Sequence, residues 1–301
     1  MALWLVRAGK YGEYQRQFLS DNVICLTWYG LEDTNLGGAE NYPAIKEIVQ
    51  RTYPDESPRK LGNWAGQIWA FALGMKPGDW VVLPRKTVTG ETQGSIAVGE
   101  IIGRYEFESA AEPMQRHLHK VSWLNREVPR SAFGQDLLYS FGAYLTICEI
   151  QRNDAEKRVR AMAKAGWKDH GSVQRRIPDP TDDQKPSQQD GTDFVDLGQL
   201  ASDQIAKLIA RLYTGHGLAR LVAAILDAQG YTTHVSAAGP DKGVDILAAP
   251  DPLGFGSPRI CVQVKSGDTP VDRPTLDQLL GVMQNVGAEQ GLLVSWAGFR
   301  S

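Results

Sequence analysis

The chain has 301 residues, 42% hydrophobic and 22% charged, with a formal net charge of -3. This is globular composition over a length that implies two domains, and its mild acidity excludes a protein that coats nucleic acid by bulk charge while allowing a local basic groove. No apolar run reaches the roughly 20 residues a bilayer requires, MALWLVRAGK is too short for a signal peptide, and Cys25, Cys148 and Cys261 have no CxxC spacing, so a cytoplasmic protein without disulfides or zinc knuckles is expected.

In chain order, LWLVRAG, NVICLTWYG, WVVLPRK, SIAVGEIIGRYEF, HKVSWL and AYLTICEI read as short strands, with helical stretches near 41–53 and 63–75. They predict a small β-barrel-like α+β domain over residues 1–150. NDAEKRVRAMAKAGW opens with Asn153 or Asp154 as N-cap, places Val159, Met162 and Ala163 on one face and turns most cations to the other, predicting a basic helix within 151–177. The acidic PDPTDDQKPSQQDGTD has almost nothing apolar to offset the entropy of ordering it and predicts a linker over 178–199. Residues 200–301 then form the second domain: a helix LARLVAAILDAQ closed by Gly230, strands YTTHVSA and VDILAAP about the turn GPDKG, a strand ICVQVKS, a helix from Pro274, and a strand GLLVSWA. That order predicts an α/β domain with a central mixed sheet.

Asp245 opens one strand and Lys265 lies in the next, with Gln263 on the same face as the lysine by the strand period of two. A desolvated ammonium and a desolvated carboxylate each lose hydration worth several kcal/mol, so such a pair invites a functional reading. The chemistry indicated is metal-assisted phosphodiester hydrolysis. Asp245 and the amide oxygen of Gln263, standing where a second carboxylate is common, would hold Mg²⁺ (or Mn²⁺), and Lys265 would orient the nucleophile or steady developing charge. The competing readings are structural: Asp245 as a strand-start residue, Lys265 as an edge-strand lysine, Gln263 as a plain hydrogen-bonder. Asp241 and Asp251 read as turn formers, and His216 and His234 as lone histidines without a ligand role.

Leu218–Ser301 resembles the Mrr-type catalytic domain of the PD-(D/E)XK nuclease superfamily in LVAAILDAQGY, GPDKGVDI, DPLG, QVKS and QLLGVMQNVGAEQGLLVSWAGF, in that order. The resemblance implies a Mg²⁺-dependent endonuclease in which Asp245 is the metal-binding aspartate, Gln263 the variant acidic position and Lys265 the motif lysine. It departs at Ala219, where related domains often carry glutamate, and after GFRS, where they usually continue with a helix, so the domain is expected to be truncated or minimal. The stretches NWAGQIWAFALGMKPGDWVVLP and IAVGEIIGRYEF are similar to the EVE and PUA-like readers of modified bases and RNA. That likeness implies a modified-base pocket with Trp64 and Asn63, joined by Trp28 or Arg7; the competing reading places the tryptophans in the core. Together the two resemblances imply a modification-dependent (type IV-like) restriction endonuclease of phage defence, acting on double-stranded DNA as a homodimer. Phosphate contacts are expected from the basic helix and from Lys242, Arg259 and Arg273. The alternatives are a structure-specific repair or junction nuclease and a non-cleaving binding protein for modified nucleic acid. No GxxxxGK[ST] loop occurs, so an NTP-driven step needs another chain.

Overall fold

The computed structural model describes residues 1–86, 94–143, 145–169, 197–237, 243–267 and 269–300. It divides into two compact units, Met1–Asp203 and Gln204–Ser301. The first unit begins β1 (Leu3–Val6), α1 (Gln15–Ser20), β2 (Val23–Cys25), α2 (Tyr42–Thr52), α3 (Pro58–Trp69) and β3 (Trp80–Pro84). It continues β4 (Ser95–Ile101), β5 (Glu106–Phe107), β6 (His117–Pro129), α4 (Gln135–Phe141), β7 (Ile147–Glu149) and α5 (Ala155–Lys164). The strands form one sheet in the order β2-β6-β4-β3-β1-β7, with β5 added against β6. Among the described strands of this sheet, only β1 and β3 pair in parallel.

Alternation along these strands sends apolar residues to both faces. Trp4, Val6, Val81 and Leu83 pack with Ile45, Val49, Leu61 and Ile68 of α2 and α3. On the opposite face, Leu3, Leu5, Trp80 and Val82 pack with Leu137 and Phe141 of α4 and with Val159 and Met162 of α5. This explains why LWLV and WVVL are continuous apolar runs, the pattern of strands buried on both sides. It also overturns the expected barrel: β2 and β7 remain separate edges of a sheet that curls only into half a barrel. A small barrel fills its interior with its own inward side chains, whereas here both faces are occupied by helices. The close crossing of β4 and β6 depends on Gly99, where an added Cβ would lie 2.5 Å from Val121 and 2.8 Å from Trp123.

Helix α3 starts at Pro58 rather than near residue 63, because Ser57 caps it by accepting from the Lys60 N–H and proline suits the first helical position. The expected cap of α5 is absent. Asn153 and Asp154 both take left-handed backbone angles, Asp154 makes no side-chain cap bond, and the Asn153 amide donates instead to the Asp136 carbonyl and the Ser140 hydroxyl. Nor are all the cations of α5 turned to solvent. Arg158 bridges Asp136 and Asp169, each at 2.5 Å, and Arg160 pairs with Glu156 while its guanidinium lies over the Trp80 ring at 4.4 Å. Lys157, Lys164 and Lys168 remain exposed.

Helix α6 (Leu197–Leu212) crosses the division, so residues 197–199, expected to close the linker, are helical; residues 170–196, with the rest of the linker and Arg175 and Arg176, lie outside the described residues. The second unit continues with α7 (His216–Ala228), β8 (Thr232–Val235), β9 (Ile246–Ala249), β10 (Ile260–Lys265), α8 (Arg273–Val286) and β11 (Gln290–Ser295). Its mixed sheet has the order β11-β10-β9-β8, with β10 and β11 parallel and the other pairs antiparallel. The face bearing Val262 packs with Ala219, Val222 and Ala223 of α7; the face bearing Cys261 and Leu293 packs with Leu279, Val282 and Met283 of α8. Asp272 caps α8 by accepting from the Thr275 N–H, with Pro274 in the first turn. Among the described residues, no helix is long and apolar enough to cross a membrane.

Candidate nuclease site

Gly243, at φ +86°, brings the chain into the start of β9 in a conformation that side-chain-bearing residues rarely adopt. Asp245 follows and is fixed through its backbone and its side chain. Its N–H donates to the Val262 carbonyl at 3.0 Å, its carbonyl accepts from the Ser236 N–H at 2.9 Å, and its Oδ2 accepts from the Val264 N–H at 2.7 Å. Asp245 thus grips the backbone on both sides of Gln263 and lies directly across from it. Gln263 is 3% exposed, and its Oε1 is buried with no hydrogen-bond partner among the described residues. Lys265, half-buried, follows on the same face at the carboxyl end of β10. The aspartate's charge also reaches Cys261, whose thiol is pushed up first by burial and then by that carboxylate.

The register of β10 and β11 adds a residue that the sequence reading missed. Lys265 pairs with Ser295, as Gln263 pairs with Leu293, so the Ser295 hydroxyl shares the Lys265 face. Its Oγ is likewise buried without a partner among the described residues. Each unmet buried polar group costs about 1–3 kcal/mol, so a polar ligand that met both of these would be favoured there. In GLLVSWA, Ser295 reads only as one residue of an apolar strand; the signal is its pairing, which is not local in sequence.

The fit to a divalent ion follows from the donors. The Asp245 carboxylate and the unpartnered Gln263 amide oxygen are hard oxygen ligands of the kind Mg²⁺ takes through one or two protein groups, with water and phosphate completing the shell. No group of three or more His, Cys, Asp or Glu able to hold a metal occurs among the described residues.

The expected phosphate contacts are dispersed. Arg259 precedes β10, at the end away from Lys265, and Arg273 opens α8 and is ion-paired with Asp277 at 2.9 Å. Lys242 and Asp241 lie outside the described residues. Asp251 behaves as a turn former: its carboxylate accepts from the Leu253, Phe255 and Gly256 N–H groups, and these bonds, that of Gly256 foremost, hold it below its ordinary value. Leu253 and Phe255 project from that turn, exposed.

In the first unit, Trp28 and Trp64 meet edge to face with ring centres 5.8 Å apart, and Tyr53 meets Trp64 at 5.0 Å. The Lys60 ammonium lies 4.6 Å from the Trp64 ring centre. Asn63 is adjacent on α3, where its Oδ1 accepts from Gln67, whose own Oε1 accepts from the Thr146 and Ile147 N–H groups. The Arg7 guanidinium is engaged elsewhere, donating to the Ala143 and Phe141 carbonyls, and lines a small cleft with Arg85, Lys86 and Arg130. Trp4 and Trp123 serve the framework, their indole N–H groups donating to Asp79 and to the Phe18 carbonyl.

Comparison with known protein families bears on both units. Residues 210–301 match the Mrr catalytic family model, described as a restriction endonuclease. Asp245, Gln263, Lys265 and Ser295 all fall inside the matched span, which supports a restriction-type DNA endonuclease. Residues 4–136 match a domain of unknown function, DUF8426. No curated protein matches the chain.

Proposed function

We propose that the chain is a Mg²⁺-dependent DNA endonuclease of the modification-dependent restriction type, whose C-terminal unit cuts and whose N-terminal unit senses a modified base. The observation that carries the reading is the unpartnered Gln263 oxygen across from Asp245 and two residues from Lys265, within the restriction-endonuclease match. Asp245 and Gln263 would hold the ion, with Mn²⁺ as a substitute. The bound ion would polarise the scissile phosphate and acidify a water. The Val264 N–H donates to Asp245 Oδ2 and so fixes the carboxylate against β10. The Lys265 ammonium sits at the strand end to orient the attacking water and to neutralise charge on the phosphate, and the Ser295 hydroxyl beside it offers a further hydrogen bond to the same group.

The reader site would be the Trp28–Trp64–Tyr53 cluster with Asn63, in the manner of EVE and PUA-like domains: a planar base displaces Lys60 from the Trp64 face and stacks there. Cutting both strands calls for two nuclease units, hence a homodimer in the cytoplasm on double-stranded DNA. The second reading is a non-cleaving binding protein for modified nucleic acid, favoured by Asp245 being the one carboxylate of the proposed set Asp245, Gln263 and Lys265. One experiment separates them: purified protein with Mg²⁺ on matched DNAs that are unmodified or carry methylated, hydroxymethylated or glucosylated cytosine. Cleavage of one modified DNA supports the proposal; tight binding without cleavage of any supports the second reading.

A further inference from the structure

The second unit contains a cavity of about 230 Å³ at the carboxyl ends of the parallel strands β10 and β11. Tyr213 and Thr214 after α6, Leu218 of α7, Ser266 and Gly267 after β10, and Trp296 after β11 line it. The Trp296 N–H donates to the Lys265 carbonyl at 2.9 Å, which ties the cavity rim to the strand that bears the lysine. Because successive strand residues point to opposite faces, Ser266 and Trp296 turn to the α7 side while Lys265 and Ser295 turn to the α8 side. The cavity therefore adjoins the nuclease residues around the strand end without being part of them.

Its chemistry is selective. Among the described residues that line it none is charged, so these residues do not suit a phosphate. It is lined by the aromatic Tyr213 and Trp296, the aliphatic hydroxyl residues Thr214 and Ser266, and Gly267. Its volume corresponds to roughly seven or eight waters at about 30 Å³ each, room for one planar heterocycle and too little for a base pair. One residue, about 3.3 Å of strand, separates Lys265 from the rim at Ser266, less than the reach of a nucleotide from its phosphate to its base.

We propose that this cavity takes one unstacked nucleobase, stacked on Trp296 and Tyr213, from a nucleotide beside the phosphate that Lys265 engages. The inference rests on the nuclease reading and deepens it: the enzyme cuts next to a base drawn out of the helix. Crevices at the carboxyl ends of parallel strands are common ligand sites, and stacking tolerates any base, so the cavity fixes the geometry of the cut rather than its sequence.

The test uses the full chain and duplexes held uncut by Ca²⁺, with affinity read by fluorescence anisotropy. One duplex is intact, and the others each have an abasic site at one position flanking the cut mapped in Mg²⁺. Trp296→Ala should weaken binding of the intact duplex roughly 5- to 150-fold. On the duplex whose abasic site removes the extruded base, wild type and variant should bind equally. Trp296→Phe should keep most of the affinity, and Tyr213→Ala should repeat the position-dependent loss. The inference is overturned if Trp296→Ala loses the same factor on every duplex, or none, while the wild type cuts DNA in Mg²⁺. A wild type that cuts no DNA instead overturns the nuclease reading, and this inference with it.

Discussion

Replacing Gln263 with methionine separates what the residue does for the fold from what it does for the site. Its Oε1 is buried without a partner in a residue 3% exposed, so the metal-free protein carries an unmet acceptor that costs about 1–3 kcal/mol. Methionine is unbranched and of similar length and removes that acceptor. Even the low end, about 1 kcal/mol, raises the melting temperature of a unit of this size by roughly 4–8 °C. In the presence of Mg²⁺ at about 100 times its dissociation constant, the wild type gains about 2.7 kcal/mol by mass action, and Gln263→Met should lose most of that gain. Gln263→Glu should do the reverse, melting lower in chelator because a second carboxylate faces Asp245, and rising further with the ion. Calorimetry of the three proteins in EDTA and in Mg²⁺ reads all of this without any cleavage. If Gln263→Met melts several degrees lower in EDTA, or keeps the full Mg²⁺ response, the amide oxygen is structural and the site is misassigned.

Ser295→Ala should leave the metal-free melting temperature unchanged or slightly higher, since it removes another unmet group, yet slow single-turnover cleavage; an unaltered rate removes the hydroxyl from the site. Arg158→Ala removes the guanidinium that bridges Asp136 and Asp169, the latter 5% exposed in its side chain, and should cost about 3–5 kcal/mol in urea unfolding of the first unit, whereas a loss below 1 kcal/mol would show the bridge to be dispensable. Burial tends to push Asp136 up, but the hydrogen bonds and charge of Arg158 hold it below its ordinary value, so in Arg158→Ala its titration by NMR should move upward. His117 and His119 are 1% and 0% exposed, and burial lowers both despite bonds from His117 to the Leu31 carbonyl and from His119 to those of Phe71 and Gly103. Their folded values lie below the unfolded 6.5, so the unfolded chain binds more protons as the pH drops. Stability should be flat above pH 6.5 and fall below it by up to about 1.4 kcal/mol per unit per histidine, with a shallower slope in His119→Gln; an unchanged slope would remove His119 from the account.

The sequence carries the second unit well because its signals are local. ICVQVK alternates between two buried faces, the Asp-Arg-Pro start of α8 is a cap, and Gly230, at φ +91°, ends α7. The placement of Gln263 and Lys265 on one face needs nothing beyond the strand period. Ser295 and the barrel question are different, since both depend on which strands pair. A serine in an apolar run carries no mark until the β10–β11 register sets it beside Lys265, and six short strands read the same whether or not the sheet closes. The polar half of β6, Asn125 to Glu127, hides a 13-residue strand because it runs past the irregular pairings with β4. Helix α6 has a weak sequence signal because it begins next to linker-like sequence, and Leu197, Ile205, Leu208 and Leu212 on it are exposed. In sequence Arg158 reads as one more surface cation, and only the fold brings Asp136 and Asp169 to it.

The most direct test of the central claim is single-turnover cleavage of a modified duplex in Mg²⁺ by the wild type and by Lys265→Ala and Asp245→Ala, with DNA binding measured in parallel. The account predicts cut DNA from the wild type alone, and binding retained by Lys265→Ala. Cleavage that persists in either variant would contradict the assigned site.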